Sequence, residues 1–237
     1  MQLPETLDGW LGLLEARHGQ SIQLGLDRVR AVRDALDLPQ TCPVLTVGGT
    51  NGKGSPCALL AAAMLAAGYR VGLYTSPHLL RYNERVRIDG RDVEDTVLVD
   101  AFAEVERARG DIPLTYFEHG TLAAWVAFCR AGLEAIILEV GLGGRLDAVN
   151  VFEPDCAIVT SVAMDHMDYL GDNREAIGFE KAGIFRAGRP AICSDPQPPA
   201  SLLAHAEAIG ARLWVSGRDF GFSGDQNQWA FWTAGGS

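Results

Sequence analysis

The chain has no uninterrupted run near the roughly 18 apolar residues that a helical membrane span needs. Its first residues, Met1-Gln-Leu-Pro-Glu-Thr-Leu-Asp, lack a basic stretch followed by an apolar core, so no secretory leader is expected. Cysteine is sparse. Cys42, Cys57, Cys129, Cys156 and Cys193 form no C-x-x-C pair, and their number is odd. A zinc site or disulfide framework is not expected, and a reducing, cytoplasmic setting is. Positive charge is also short, with Lys+Arg 20 against Asp+Glu 30 and a net charge of −10. General binding to nucleic acid or to an anionic membrane is therefore not expected. There is no internal repeat and no long low-complexity linker. At 237 residues and 48% hydrophobic content, the chain can bury a large core in one or two domains.

What the sequence does contain is concentrated in one stretch, Pro43-Val-Leu-Thr-Val-Gly-Gly-Thr-Asn-Gly-Lys-Gly-Ser55. An apolar run ends in a glycine-rich turn, and an Ala/Leu-rich helix follows. Gly49, Thr50, Asn51, Gly52, Lys53, Gly54 and Ser55 can turn backbone N–H groups toward one point. Lys53 adds a charge and the helix start adds a dipole end, which together make a phosphate cradle suited to ATP. The match to G-x-x-x-x-G-K-[ST] is incomplete. Val47 stands where the first glycine belongs, and Gly54 separates Lys53 from Ser55. A glycine turn without a ligand is the plainer alternative.

Periodicity predicts helices at 7–15, 24–36, 53–67, 95–109, 118–131, 174–186 and 199–209. It predicts strands at 43–47, 70–75, 135–140, 156–162, 190–193 and 212–215. Asp89-Gly90 marks a hairpin between short strands at 86–88 and 91–93, and 219–232 reads as a second hairpin. Strands alternate with helices and are mostly solid apolar runs. The fold class expected is α/β, a mostly parallel sheet covered by helices on both faces. Ligands in such sheets sit beyond the carboxyl ends of the strands.

The segments at those ends are polar. Thr75-Ser-Pro-His-Leu-Leu-Arg-Tyr-Asn-Glu-Arg85 offers Ser76, His78 and Arg81, either as site residues or as an ordinary polar loop. Glu139 is a carboxylate inside an apolar strand, and burial of such a group is costly unless it is paired or bound to metal. It is either an ion-pair partner or a Mg²⁺ ligand, and an ATP site already calls for the ion. The glycines that follow allow close approach, so Arg145, Leu146, Asp147 and Ala148 are candidate substrate contacts. His166 lies between Asp165 and Asp168, and Lys181 lies on a helix. By themselves these two read as a hydrogen-bonded histidine and a solvated lysine.

Gly49-Thr-Asn-Gly-Lys-Gly-Ser55, the Ser-Pro-His-Leu loop, Tyr116-Phe-Glu-His-Gly-Thr-Leu122, Phe179-Glu-Lys-Ala-Gly-Ile-Phe185 and Gln20-Ser-Ile-Gln-Leu-Gly-Leu-Asp-Arg-Val29 share one resemblance. The chain resembles the folylpolyglutamate synthase/dihydrofolate synthase family of the Mur ligase superfamily across most of residues 20 to 215. The resemblance implies a P-loop NTPase-like ATP-binding domain and a carboxylate–amine ligase that adds L-glutamate to dihydropteroate or to a folate. It implies two Mg²⁺ ions, with Ser76, Glu139, His166 and Lys181 as metal contacts. Lys181 would serve once carboxylated by CO₂, which requires a lowered pKa. With Lys53, the residues Glu139, His166 and Lys181 form the implied catalytic set. Ser21, Ile22, Phe117 and Glu118 are implied to meet the pteroate, Phe117 against the heterocycle and Glu118 accepting its N–H groups. Core packing of Phe117 is the alternative.

Two departures stand out. Pro56 replaces the threonine usual after Ser55, which the first helical turn tolerates. The family also continues into a second α/β domain, so residues 1–237 are expected to be the N-terminal, ATP-binding portion of a longer, monomeric ligase. Such a portion would bind phosphates and pteroate with little ligase activity alone. A cell-wall amino-acid ligase of the Mur type, a non-catalytic ATP-binding module and a generic phosphate-loop NTPase are the competing readings.

Overall fold

The computed structural model describes residues 3–17, 23–225 and 228–234. Among these described residues, ten strands form an eight-stranded sheet and a separate hairpin. In chain order the sheet strands are β1 (Val44–Gly48), β2 (Val71–Tyr74), β3 (Val86–Ile88), β4 (Arg91–Asp92), β5 (Ala135–Glu139), β6 (Cys156–Val159), β7 (Pro190–Cys193) and β8 (Arg212–Val215). Their spatial order is β4-β3-β2-β5-β1-β6-β7-β8. The six strands from β2 to β8 pair in parallel, and β3 and β4 add an antiparallel edge. The β3–β4 turn uses Asp89 (φ 50°) and Gly90 (φ 79°), the left-handed pair that a two-residue hairpin needs.

The helices are α1 (Leu7–Arg17), α2 (Asp27–Leu36), α3 (Gly54–Ala66), α4 (Asp95–Arg109), α5 (Tyr116–Arg130), α6 (Met167–Leu170), α7 (Arg174–Ala182) and α8 (Ala200–Ile209). One face of the sheet carries the larger core. There Tyr74, Ile136 and Leu138 pack with Trp10, Phe102, Leu122 and Phe128 from α1, α4 and α5. The other face is narrower. Val47, Val71, Leu73 and Ile137 meet Cys57 and Ala61 of α3. A hairpin of β9 (Phe220–Gly224) and β10 (Trp229–Thr233) closes a second cavity with Ile192 and Trp214. Among the described residues no helix is long and apolar enough to cross a membrane.

Helix α5 is buried nearly all round, which marks it as the central helix of its layer. It starts at Tyr116 rather than at 118, because Thr115 and Glu118 form a capping box. Glu118 N–H donates to Thr115 Oγ1 at 3.1 Å and Thr115 N–H donates to the Glu118 carboxylate at 2.7 Å. Three boundaries fall short of the sequence expectation by three residues or more. Helix α2 starts at Asp27, since Gly25 (φ 144°) turns the chain and its N–H reaches Leu146 O at 3.3 Å. Strand β6 stops at Val159 because the chain then bends toward the loop after β1. Helix α7 stops at Ala182, and the Gly183 carbonyl accepts instead from Asn150 Nδ2 at 3.1 Å.

Gly72 shows how closely α5 approaches the sheet. A Cβ there would lie 2.5 Å from Leu133 Cδ1 and 2.9 Å from Phe128 Cδ1. Gly72→Ala is therefore expected to cost about 1–3 kcal/mol in a urea melt. Gly12→Ala, on α1 with nothing within 4 Å of the new methyl, should be neutral or stabilising.

Candidate functional site

Strand β1 lies between β5 and β6, so the chain leaves β1 where strand order reverses, the place at which such sheets open a crevice. The glycine loop fills that position and is tied down. Thr50 N–H donates to Ser161 O at 2.8 Å, and Thr160 Oγ1 donates to Asn51 O at 2.7 Å. Thr50 Oγ1 donates to Ala163 O at 3.2 Å. Gly49 has φ 143°, and any Cβ on it would collide with Thr160 Oγ1, so the position admits only glycine. Gly52, at φ 77°, is the second left-handed turn residue of the loop. Lys53 ends the loop with its Nζ 3.3 Å from Gly49 O, and α3 starts at Gly54 without a side-chain cap. The first N–H groups of a 13-residue helix are left for an anion.

Glu139 closes β5 with 6% exposure, and its carboxylate accepts from Ser76 N–H at 3.1 Å. Burial raises its pKa; that hydrogen bond and the Lys53 charge oppose the rise. Asp147 accepts from Leu142 N–H at 2.7 Å and Val149 N–H at 3.0 Å, yet burial still pushes its pKa up to about 7. Lys181 is 2% exposed, and burial followed by the Lys53 charge lowers its amine to about 8. His166 sits in the left-handed region at φ 46°, a strained setting for a residue with a side chain, 3.6 Å from Asp165.

A cavity of ≈ 910 Å³ runs from the phosphate loop to α5. Thr50, Lys53, Ser76, Phe117, Glu118, Leu146, Asp147, Ala148 and His166 line it, as do Arg85, Gly141 and Asp165. Phe117 both packs and lines. Its ring lies so close over Gly141 that a Cβ there would be 2.5 Å from Phe117 Cζ, and its centroid is 6.2 Å from that of Tyr74.

Four expected substrate contacts are engaged by partners within the chain. Arg81 pairs with Asp95 at 3.3 Å, with 70% of its side chain exposed. Arg145 pairs with Glu180 at 2.7 Å and lies over Phe179, and Gly183 packs against its Cβ. His78 spends Nδ1 on Arg85 Nε at 2.8 Å. None of these three lines the cavity. Glu118 does line it, with its carboxylate accepting from Thr115 N–H and from Arg28 Nη2 at 2.9 Å. Ser21 and Ile22 lie outside the described residues. Arg85, at the end of the loop after β2, lines the cavity, and Arg28 holds Glu118. The T-x-x-E spacing of Thr115 and Glu118 was the legible sign that this carboxylate would cap a helix.

Among the described residues no three His, Cys, Asp or Glu side chains converge as a preformed metal cage. The donors fit in part. Glu139 is a buried carboxylate with one backbone donor and no ion pair, suited to a cation that arrives with a nucleotide. Lys181 as an ammonium is not a ligand.

Residues 47–219 match the family described as the Mur ligase middle domain. The chain belongs to the Mur ligase middle-domain family. Its relatives include the dihydrofolate synthase/folylpolyglutamate synthase of Escherichia coli K12, 49% identical over 237 residues. That alignment covers 100% of this chain and 56% of the E. coli protein, so the chain spans about half the length of such relatives. The solved structure of E. coli FolC in complex with DHPP and ADP superposes with a TM-score of 0.96 at 49% identity, covering 100% of this chain and 57% of that one. A bifunctional folylpolyglutamate synthase/dihydrofolate synthase with Mn, AMPPNP and L-glutamate bound gives 0.91 at 49%, over 98% and 57%.

The Asp147 setting has a measurable consequence. Folding raises its pKa from 3.8 to about 7, so its contribution is fully present below the lower value and is lost as pH rises through the upper one. Between roughly pH 5 and pH 8, wild-type stability should fall relative to Asp147→Asn by about 2 kcal/mol. Paired urea melts check this, and parallel pH curves would mean that Asp147 ionises normally.

Proposed function

We infer that this chain supplies the nucleotide and acceptor sites of an ATP-dependent ligase that adds L-glutamate to dihydropteroate, tetrahydrofolate or both. The observation that carries the reading is the single cavity joining a lysine-bearing phosphate loop to an aromatic, Asp147-lined wall. Supporting it is near-complete superposition on a protein solved with DHPP and ADP, and on another with AMPPNP, Mn and L-glutamate. The family description alone leaves the amino-acid acceptor open, and the names of the similar relatives favour folates over cell-wall precursors.

The chemistry follows from the two ends of the cavity. The acceptor carboxylate attacks the γ-phosphorus of ATP, the bond to the β–γ bridging oxygen breaks, and ADP leaves with the electron pair. An acyl phosphate remains. The amine of L-glutamate attacks its carbonyl carbon, inorganic phosphate departs, and the amine proton passes to solvent. The phosphoryl step needs little acid–base help and depends on placement and charge neutralisation. Lys53 and the free N–H groups of α3 meet the phosphates, the uncapped helix end adding its dipole. Phe117 and Asp147 orient the heterocycle at the other end, Asp147 offering a carboxyl that exchanges between donor and acceptor near neutral pH.

A divalent cation, two in the fuller form of this reading and Mg²⁺ in the cell, would neutralise phosphate charge. Ser76 and Glu139 would hold the first. His166 and Lys181 would hold the second, with Lys181 as a carbamate. Its buried amine, lowered to about 8, supplies the neutral nucleophile that CO₂ requires. A cytoplasmic setting belongs to the same reading.

Labelled L-glutamate should be incorporated into dihydropteroate or tetrahydrofolate with Mg-ATP by the full product of the gene. ATP hydrolysis without acceptor dependence would point instead to a phosphate-loop NTPase. Lys53→Met should weaken AMPPNP binding by about 100-fold or more in calorimetry, with a melting curve run beside it to show that the variant is folded.

Lys53 and Lys181 are the only lysines in the sequence, which makes the carbamate directly visible. Protein supplied with ¹³C-bicarbonate should show a carbamate ¹³C signal that persists in Lys53→Met and vanishes in Lys181→Met. A spectrum indifferent to Lys181→Met would remove the carbamate from the scheme.

A further inference from the structure

With two lysines among 20 basic residues, the remaining 18 are arginines. Fourteen of these pair with a carboxylate. Four have no carboxylate partner among the described residues. Arg91, Arg107 and Arg212 are exposed, and water screens them. Arg85 is the exception, half-buried and in the wall of the main cavity.

Its setting is built rather than incidental. Arg85 Nε donates to His78 Nδ1 at 2.8 Å, so the imidazole is an acceptor at that nitrogen. Burial and the Arg85 charge hold His78 below its usual pKa, which keeps it in that neutral role. The guanidinium carbon lies 5.3 Å from the Tyr82 ring centroid and 5.9 Å from that of Tyr116. Two aromatic faces and a neutral imidazole thus fix the fork without neutralising it. Neither Nη group bonds to a described residue. Such a cation, left without a counter-ion in a chain of net charge −10, is a receptor for an anion.

Position narrows the anion. Thr75 N–H donates to Arg85 O at 2.9 Å, so Arg85 hangs beside the end of β2 next to Ser76. The reacting carboxylate of an acceptor must lie at the Lys53 end, against the γ-phosphate. A pteroate carries that carboxylate alone. A folate ends in a glutamate, whose α-carboxylate does not react and lies a few bonds from the γ-carboxylate that does.

We propose that Arg85 is the subsite for this second, non-reacting carboxylate, and that it distinguishes acceptors with two carboxylates from those with one. The proposal rests on the folate-ligase reading above. Arg85 is a binding and specificity residue in it, with no part in phosphoryl transfer.

The test is anaerobic calorimetry on the 237-residue chain with tetrahydrofolate and dihydropteroate, using wild type, Arg85→Gln and Arg85→Lys. The loss on Arg85→Gln should be about ten-fold or more greater for tetrahydrofolate than for dihydropteroate, the size expected for one charge-assisted, forked contact. Arg85→Lys should recover only part of it, as a point charge without the fork. Tetrahydrofolate amidated at its α-carboxylate should bind wild type as weakly as tetrahydrofolate binds Arg85→Gln, a comparison that needs no variant to fold. Equal loss for both acceptors, or full-strength binding of the amide, overturns the proposal. Failure of wild type to bind either acceptor overturns the folate reading itself, and is seen before any variant is measured.

Discussion

The charge on Lys53 is the constraint around which the site is arranged. Its field reaches Cys57, Glu139, Asp147 and Lys181. For the two carboxyls it partly offsets burial, and for Lys181 it adds to burial. The result leaves Asp147 at about 7 and Lys181 at about 8, in a place where each would be destabilising if fully charged and unpaired. The cost is tolerated because the groups are fixed by backbone. Asp147 is fixed by the amides that follow β5, Glu139 by the Ser76 amide, and Lys53 by the carbonyl of Gly49.

The parallel sheet makes this crowding possible. Parallel strands send all their carboxyl ends to one edge, so residues distant in sequence meet there. Thr160 occupies the space that a side chain on Gly49 would need, and Thr50 and Ala163 exchange hydrogen bonds in both directions. The phosphate loop is thus shaped by the chain leaving β6 as much as by its own glycines. His166 follows directly in the strained left-handed conformation, the kind of backbone cost that persists when surrounding structure over-determines it.

The acceptor end is organised by a different interaction. Arg28, from α2, clamps Glu118 at the start of α5 and also donates to Gln23 O at 3.1 Å. Gly25 N–H bonds across to Leu146 O. The segment before α2 is therefore stitched to both walls of the cavity, and the Glu118 carboxylate helps to hold the frame. Glu84 plays a similar part in the loop after β2. It accepts from the amides of Leu79, Leu80 and Arg81 at 2.7–2.8 Å, which hold its pKa down to about 2 and leave both leucines exposed.

Local patterns sufficed for several elements. The solid apolar runs of β1 and β5 specify buried parallel strands, Asp89-Gly90 specifies a hairpin, and the glycines before Lys53 specify a turn into a helix, each through interactions within a few residues. The sequence by itself therefore determined the fold class, the loop and the buried position of Glu139. It did not determine which polar residues face the cavity. Arg81 and Arg85 are four residues apart in one segment, yet one turns to Asp95 and solvent while the other is gripped by two tyrosines and a histidine. Nor could it tell that Arg145 would be claimed by Glu180, or Glu118 by Arg28. Only the tertiary structure decided these, because a charged side chain goes to whichever partner the packing brings within reach, and those partners lie 14, 35 and 90 residues away.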